Sequence, residues 1–251
     1  IFPAVFLSGI SINLNWKATN LEYFYSRFLK LIIFFIFLVS SYYFIFGGPI
    51  LILLGISASI WMLLSVIGDL YSKLSDKSKS FRINLKKITK IRLSIYGMHL
   101  AHIGVAVFIL GVSLSEGMKT YYQGVKSLKS TIKIDDFVIN FSKLDRLNEK
   151  NWLSEKGTFL VKQNNKEFEM KAERRIYLDT GMPSTEAAIK RNFFSHLYIV
   201  MGQEQPAGSG NRIVRVYHNP HIILIWLGAV IMAFGGLFSL LDYRKSLFKN
   251  T

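Results

Sequence analysis

Four long apolar runs, separated by polar segments, dominate the pattern of hydrophobic and polar positions along this chain. The runs cover Leu31–Phe46, Ile50–Gly68, Ile95–Leu114 and His221–Leu241. Each run has, or nearly has, the ~20 residues that a helix needs to cross a bilayer. Gly47-Gly48-Pro49 interrupts the chain between the first two runs, so residues 31–68 are predicted to form a tight transmembrane hairpin.

Residues 1–30 precede the hairpin and combine an apolar start with a basic end. Ile1–Leu7 resembles the tail of an earlier span, and a basic loop follows it. The sequence starts without Met and lacks the basic region and cleavage site of a signal peptide. We therefore expect the chain to be part of a longer protein.

Between the third and fourth runs the pattern changes to the alternation that is typical of strands. Thr131–Phe141 alternates, and Asn164-Asn165-Lys166 separates two further strand-like segments, which predicts a hairpin. Additional strands are predicted at the following segments: Arg174–Leu178, Leu197–Met201 and Arg212–Tyr217. Thr185–Ile189 fits either a helix start or a strand. Residues 115–220 are thus expected to form a small antiparallel sheet or a partly open barrel.

Charge orients these segments. The net charge is +15, but Glu116–His218 has 17 basic and 12 acidic residues, whereas the rest has 14 basic and only 4 acidic ones. The remaining basic residues cluster in residues 16–30, in the connector 69–94 and in the tail 242–251, which lie on one side if all four spans cross. The positive-inside rule makes that side cytoplasmic. The basic excess is therefore a topology signal rather than a sign of nucleic-acid binding.

Composition agrees with this mixed organisation. The chain is 51% hydrophobic, which is too apolar for an ordinary soluble domain, and 19% charged, which is too polar for a chain that lies entirely in a membrane. It has no cysteine, which excludes disulfides, thiol chemistry and cysteine-based metal sites from this segment. We predict a polytopic α-helical membrane protein with an inserted β-rich extracytoplasmic domain.

Two histidines in the third run are the main candidates for chemistry. His99 and His102 are three residues apart and project from neighbouring positions on one helix face. An intramembrane histidine is costly and indicates a functional site, such as a haem or metal ligand or a proton path, but it also serves as a hydrogen bond between helices. Gly97, Gly104 and Gly111 recur every seven residues on the same helix. This flat stripe fits a partner helix or a planar ligand.

The outer domain has one conspicuous cluster of charges. Glu173-Arg174-Arg175 is followed by Glu186, at about the separation of two paired strands in one hairpin. The guanidinium group of arginine matches the geometry of a carboxylate. Two interpretations are open. The arginines could receive haem propionates, or Arg174 or Arg175 could form an ordinary salt bridge with Glu186.

Several short segments, taken in order, resemble one known family. They are Leu100-Ala101-His102-Ile103-Gly104-Val105-Ala106-Val107, Glu173-Arg174-Arg175-Ile176-Tyr177, Ser184-Thr185-Glu186-Ala187-Ala188-Ile189, Leu197-Tyr198, Val214-Arg215-Val216-Tyr217, Ile225-Trp226-Leu227-Gly228 and Met232-Ala233-Phe234-Gly235-Gly236. Together they are similar to the C-terminal part of CcmF, the haem-handling membrane subunit of cytochrome c maturation system I.

The resemblance implies a specific chemistry. Members attach haem covalently to the CxxCH motif of apocytochrome c, and the histidine that matches His102 is an axial ligand of a resident haem b. The implied partners are a haem chaperone, apocytochrome c, a thiol-handling subunit and membrane lipid, with no nucleic acid. The implied location is a bacterial inner membrane with residues 115–220 in the periplasm, or a mitochondrial inner membrane.

The resemblance has limits that can be read from the sequence. The family's Trp-rich haem loop is absent, because the four tryptophans are scattered along the chain. The second ligand of the haem is therefore expected outside residues 1–251. No ligand role follows for His99, His218 or His221, which do not match the family pattern.

Two alternatives stay open at this stage. A paralogous subunit dedicated to nitrite reductase haem attachment would have the same segments. A non-haem transporter or scaffold would use its intramembrane histidine pair for protons or for helix packing.

Overall fold

The computed structural model describes residues 2–12, 14, 21–74, 88 and 91–247. The chain forms two compact units. One is helical and combines residues 1–117 with residues 221–251, and the other comprises residues 118–220. The predicted basic connector lies largely outside the described residues, so its surface-helix interpretation stays a prediction.

The helical unit contains five helices among the described residues: α1 (Phe2–Ile12), α2 (Leu21–Phe46), α3 (Ile50–Leu74), α4 (Leu93–Gly117) and α5 (Ile223–Leu247). All except α1 are long and apolar enough to cross a membrane. The expected membrane protein with an inserted β-rich domain is confirmed. Helices α3 to α5 continue beyond the apolar runs, because backbone hydrogen bonding extends a helix into polar residues as long as no Gly or Pro stops it.

Helices α4 and α5 pack closely along glycines. A methyl group added to Gly97 would lie 2.6 Å from the Gly235 carbonyl oxygen, and one added to Gly104 would lie 2.8 Å from the Gly228 carbonyl oxygen. Gly111 faces Leu224 and Ile225 in the same way. The glycine stripe therefore holds a partner helix, and α5 occupies the face that the sequence also allowed for a planar ligand.

The opposite side of α4 packs on α3. The Ser59 hydroxyl donates to the Ala106 carbonyl at 2.8 Å, and a methyl group at Gly55 would collide with Ser113. On the far side of α3, the buried Trp61 donates through Nε1 to the Phe6 carbonyl of α1 at 3.0 Å. These bonds satisfy polar groups that would be costly to leave unpaired among apolar side chains.

The second unit is a sandwich of two antiparallel sheets. Its strands are β1 (Thr120–Lys126), β2 (Thr131–Ile134), β3 (Phe137–Asn148), β4 (Trp152–Gln163), β5 (Lys166–Tyr177), β6 (Pro183–Glu186), β7 (Ala188–Arg191), β8 (Ser195–Glu204) and β9 (Arg212–Pro220). One sheet has the order β1-β9-β8-β7 and the other has the order β2-β3-β4-β5-β6. The β unit is thus a two-layer sandwich rather than the predicted single sheet or partly open barrel.

The predicted hairpin at Asn164 is confirmed, with β4 and β5 paired from Trp152↔Tyr177 to Gln163↔Lys166. The predicted strand Arg174–Leu178 is not separate, because residues 174–177 are the end of β5 and Leu178 begins the following turn. The prediction of one strand over Thr131–Phe141 is wrong, because Asp135 adopts a positive φ of 45° and turns the chain back between β2 and β3. Asp tolerates this conformation better than most residues.

Thr185–Ile189, for which a helix and a strand were both open, is extended and changes sheets. Its first part belongs to β6 and its last part to β7, with Ala187 between them. Strand β1 was not predicted. Inward-facing apolar residues of both sheets form the core, where the Phe141 and Phe159 rings stack with centroids 4.8 Å apart. Burying such a side chain contributes about 1.5–3 kcal/mol.

Candidate functional site

Helix α4 carries the candidate site between its two packed faces. Gly97, Gly104 and Gly111 contact α5, whereas the row that contains His99 and Ala106 contacts α3. His102 lies about 60° around the helix from His99, since each residue adds ~100°. Its side chain is only partly buried, so it belongs fully to neither interface.

The hydrogen bond of His102 fixes its tautomer. Nδ1 lies 2.7 Å from the Met98 carbonyl oxygen of the preceding turn. A carbonyl only accepts, so Nδ1 carries the proton and the lone pair of the neutral ring is on Nε2. Within the described residues Nε2 has no hydrogen-bond partner, and it is not among the fully buried atoms. Such an imidazole is prepared to bind a metal through Nε2.

The side chains around His102 on α4 are apolar. Met98, Val105 and Ile109 flank it on α4 and pack against a cluster that includes Val5 of α1 and Val66 of α3. No group of three or more His, Asp or Glu side chains that could hold a metal ion occurs among the described residues. Within this part of the chain His102 could therefore supply one metal ligand but not a complete set.

His99 is committed to a different partner. It is buried, and its Nε2 lies 2.8 Å from Asp69 Oδ2 of α3, which also accepts a hydrogen bond from Lys73. The interpretation of His99 as a hydrogen bond between helices is confirmed. Its Nδ1 is buried without a partner among the described residues. The two histidines therefore do not share one ligand.

Asp69 is the residue of this group that sequence reasoning missed. It was assigned to the connector 69–94, because the apolar run ends at Gly68. The structure corrects this boundary, since α3 continues to Leu74 and Asp69 is buried against α4. The available signal was Lys73 four residues later, because an acid and a base at that spacing share a helix face.

Two further histidines belong to the β unit. In the β unit, His218 Nδ1 lies 2.5 Å from Asp135 Oδ2, and the ring packs against Phe137. Burial acts to raise the pKa of Asp135, but hydrogen bonds from Thr120 and His218 outweigh it and lower the pKa below its ordinary value. His196 lies beside Tyr198, and burial lowers its pKa.

The β unit contains a second charged group at one end of the sandwich. The fully buried Arg212 donates to Glu155 at 2.6 Å and pairs with Glu204 at 3.3 Å. Arg146 and Arg174 also approach Glu155, at 3.4 Å and 3.8 Å. The sequence carried a signal for the burial of Arg212, because Arg212 is in phase with the inward-facing Val214 and Val216.

Arg175 has fixed partners in the cluster around Glu173. Its guanidinium donates to both carboxylate oxygens of Glu173, at 2.8 Å and 3.0 Å, lies 3.7 Å from Glu186 and stacks over the Trp152 ring. The Arg175 hydrogen bond, supported by Ser154, lowers the pKa of Glu173 to about 2. The salt-bridge interpretation is confirmed for Arg175, which is thereby less available to a propionate.

Comparison with known families finds one match within the β unit. Residues 124–220 match the family model described as the CcmF C-terminal beta-sandwich. The matched region starts within β1 and ends with β9, so it covers both sheets described above.

Curated relatives extend this similarity into the helical unit. The cytochrome c-type biogenesis protein CcmF of Pseudomonas fluorescens is 32% identical over 185 residues, which cover 73% of this chain and 27% of the relative. CcmF of Escherichia coli is 30% identical over 195 residues, covering 76% of this chain and 28% of that protein. NrfE of Haemophilus influenzae, also a cytochrome c-type biogenesis protein, is 33% identical over 158 residues, 62% of this chain and 24% of NrfE.

A solved structure shares the fold. The cytochrome c heme lyase CcmF superposes with a TM-score of 0.61 over 94% of this chain and 38% of that chain, at 16% sequence identity. The chain therefore spans little more than a quarter of the length of the curated relatives that it matches.

Proposed function

Because the chain belongs to the CcmF family, whose C-terminal part it matches, we propose that it is the haem-binding part of a cytochrome c haem lyase subunit. In this proposal His102 is an axial ligand of a resident haem b. The observation that carries the assignment is the state of His102, whose Nδ1 donates to the Met98 carbonyl while Nε2 has no hydrogen-bond partner among the residues that the structure describes.

Each residue around His102 has a role in this function. The Met98 carbonyl holds the ring in one tautomer and so leaves the Nε2 lone pair available for ligation. The apolar side chains beside it would limit the access of water to a bound haem. A bound haem supplies one-electron chemistry, and in the proposed lyase it serves haem attachment to the CxxCH motif of apocytochrome c.

The proposed partners are those that the family resemblance implies, and the proposed location is supported by the charge distribution. A haem chaperone, apocytochrome c and a thiol-handling subunit would meet at the face of the inner membrane that carries residues 115–220, in the periplasm. The absence of cysteine in this chain suits that task, because the chain forms no mixed disulfide with its substrate.

The NrfE relative supports a second candidate within the same function. Its identity to this chain is similar to that of the CcmF proteins, although over a shorter match, so a subunit dedicated to nitrite reductase haem attachment is the second candidate. Both candidates place the chain in cytochrome c biogenesis and require the same ligand.

The test is a pyridine haemochrome assay of the protein purified in detergent from its membrane, as wild type, His102→Gly and His99→Gln. We expect haem b in the wild type, its loss in His102→Gly, and its retention in His99→Gln, whose amide nitrogen can reach the position of Nε2 and donate to Asp69. Imidazole added to His102→Gly should restore the reduced-minus-oxidised spectrum, because it replaces the missing ligand. Unchanged haem in His102→Gly would refute the ligand assignment. A folded wild type without haem would favour a transporter or scaffold.

A further inference from the structure

The β unit has an open groove that the proposed haem chemistry does not use. It has a volume of about 380 Å³ and lies between β6 and the ends of β8 and β9. Arginine, polar and small apolar side chains line it, and they include Arg174, Arg215, Gln203, Thr185, Val200 and Ile213. No acidic residue is among the lining residues, and this unit is described without gaps.

The positive charge of this groove is not neutralised from within. Arg215 is exposed and has neither an ion pair nor a hydrogen bond among the described residues. Among the described residues, the ion-pair partner of Arg174 is Glu155, at 3.8 Å, and that carboxylate lies closer to Arg212 and Arg146. Because the contact of Glu155 with Arg174 is the longest of the three, Arg174 keeps donors for an external anion.

The groove also runs along an unpaired stretch of sheet edge. Strand β7 pairs with β8 only as far as Ala188↔Ile199, whereas β8 continues to Glu204. From Val200 onward, within the described unit, no strand pairs with β8 on the side opposite β9. An unpaired edge of this kind can accept an extended peptide, which adds main-chain hydrogen bonds to the sheet.

We propose that this groove binds an extended, acidic peptide segment of a partner protein, with Arg215 and Arg174 receiving its carboxylates. The edge of β8 favours a peptide over a small anion, because it offers main-chain donors and acceptors beside the two arginines. Bidentate contacts from arginine then select Asp and Glu side chains. The proposal depends on the β unit and not on haem binding, so either can fail without the other.

The probe is a fluorescein-labelled peptide of alternating Thr and Glu, about eight residues long, which is a typical strand length. Its counterpart replaces each Glu by Gln. Fluorescence anisotropy is measured with the whole chain in nanodiscs of zwitterionic lipid, so that anionic lipid does not bind or repel the probe. We expect saturable binding of the Glu peptide and none of the Gln peptide.

Two variants locate the binding. Arg215→Gln should weaken binding about tenfold, the loss expected for one charge-assisted contact. Lys133→Gln is the matched control, because it removes one exposed positive charge from β2 outside the groove and should leave binding unchanged. Arg215→Glu should lose the Glu peptide and gain a peptide of alternating Thr and Lys.

Three outcomes would overturn the proposal. One is equal weakening by Arg215→Gln and Lys133→Gln, which would indicate general attraction to a basic protein. Another is equal binding of the Glu and Gln peptides, and the third is no saturable binding of the Glu peptide to the wild-type chain. Arg215 is exposed and unpaired, so its substitution is expected to leave folding intact.

Discussion

At the scale of single residues, two histidines on one helix differ because of the oxygen atoms that they face. The Met98 carbonyl holds the Nδ1 proton of His102 and leaves Nε2 free for a ligand bond. The Asp69 carboxylate instead takes Nε2 of His99, which commits that ring to the contact between α3 and α4. Partners rather than residue type therefore distinguish a candidate ligand from a structural hydrogen bond.

Glu173 gives a pH-dependent prediction at the same scale. Its pKa falls from an ordinary 4.5 to about 2 in the folded protein, so the unfolded chain binds a proton first as the pH falls. The stabilisation that the ionised Glu173 contributes to the folded state is fully present above about pH 4.5 and is lost progressively as the pH falls towards 2. We expect the urea midpoint of Glu173→Gln to fall less steeply with acid than that of the wild type in this interval.

Lys171→Gln is suitable as a control for that measurement, because Lys171 is exposed and only loosely paired with Glu169. Its pH profile should match the wild type. Parallel profiles for the wild type and Glu173→Gln would contradict the low pKa of Glu173.

At the scale of elements, α4 is fixed by two seven-residue rows on different faces. The glycine row lets α5 approach to backbone contact, and the row of His99 and Ala106 packs on α3 through polar bonds. Close approach replaces the hydrophobic effect as the source of stability between helices in lipid. Both rows orient His102, which lies between them.

A substitution in the glycine row should separate the helices. In Gly104→Ala the new methyl group would lie 2.6 Å from the Met232 backbone nitrogen, so α5 must shift. We expect a loss of about 1–3 kcal/mol in the free energy of unfolding, the usual cost of overpacking. Denaturant unfolding in mixed micelles would measure it.

Gly236→Ala is the matched control on α5. A methyl group there would meet nothing within 4 Å, so the variant should be neutral or slightly stabilised by the better helix propensity of alanine. A Gly104→Ala variant as stable as Gly236→Ala would show that the contact between α4 and α5 is looser than the structure indicates.

At the scale of the whole molecule, four candidate spans and the charge bias between their connecting segments determine a topology. Outside Glu116–His218 the chain holds 14 basic residues against 4 acidic ones, so the positive-inside rule predicts that the basic connecting segments lie in the cytoplasm. The β unit is then predicted to lie on the opposite, extracytoplasmic side.

The absence of native cysteine makes this topology directly testable. Ser127→Cys places one thiol in an exposed loop of the β unit, and Ser78→Cys places one in the basic connector. In spheroplasts, a membrane-impermeant maleimide should label Ser127→Cys only, whereas both variants should react after lysis. Labelling of Ser78→Cys in sealed spheroplasts would reverse the proposed orientation.

Much of the fold was predictable from local patterns. Long apolar runs located the spans, and a turn signal at Asn164 located the longest hairpin. Errors occurred where local pattern is ambiguous. The turn at Asp135 lies inside a run of strand-like residues, so the local pattern does not separate β2 from β3. At Ala187 the chain passes from one sheet to the other, and this change depends on the packing of two sheets rather than on the local sequence.

The sequence by itself determined the class of protein, the position of the inserted domain and His102 as a candidate, because hydropathy, alternation and family resemblance are local properties. The tertiary structure decided which partner each polar group has. It pairs His99 with Asp69 and packs the glycine stripe against α5. It also places three arginines around Glu155, whereas Arg215 has no ion pair among the described residues. These pairings join residues that are far apart in the chain, and no local pattern encodes the distance between them.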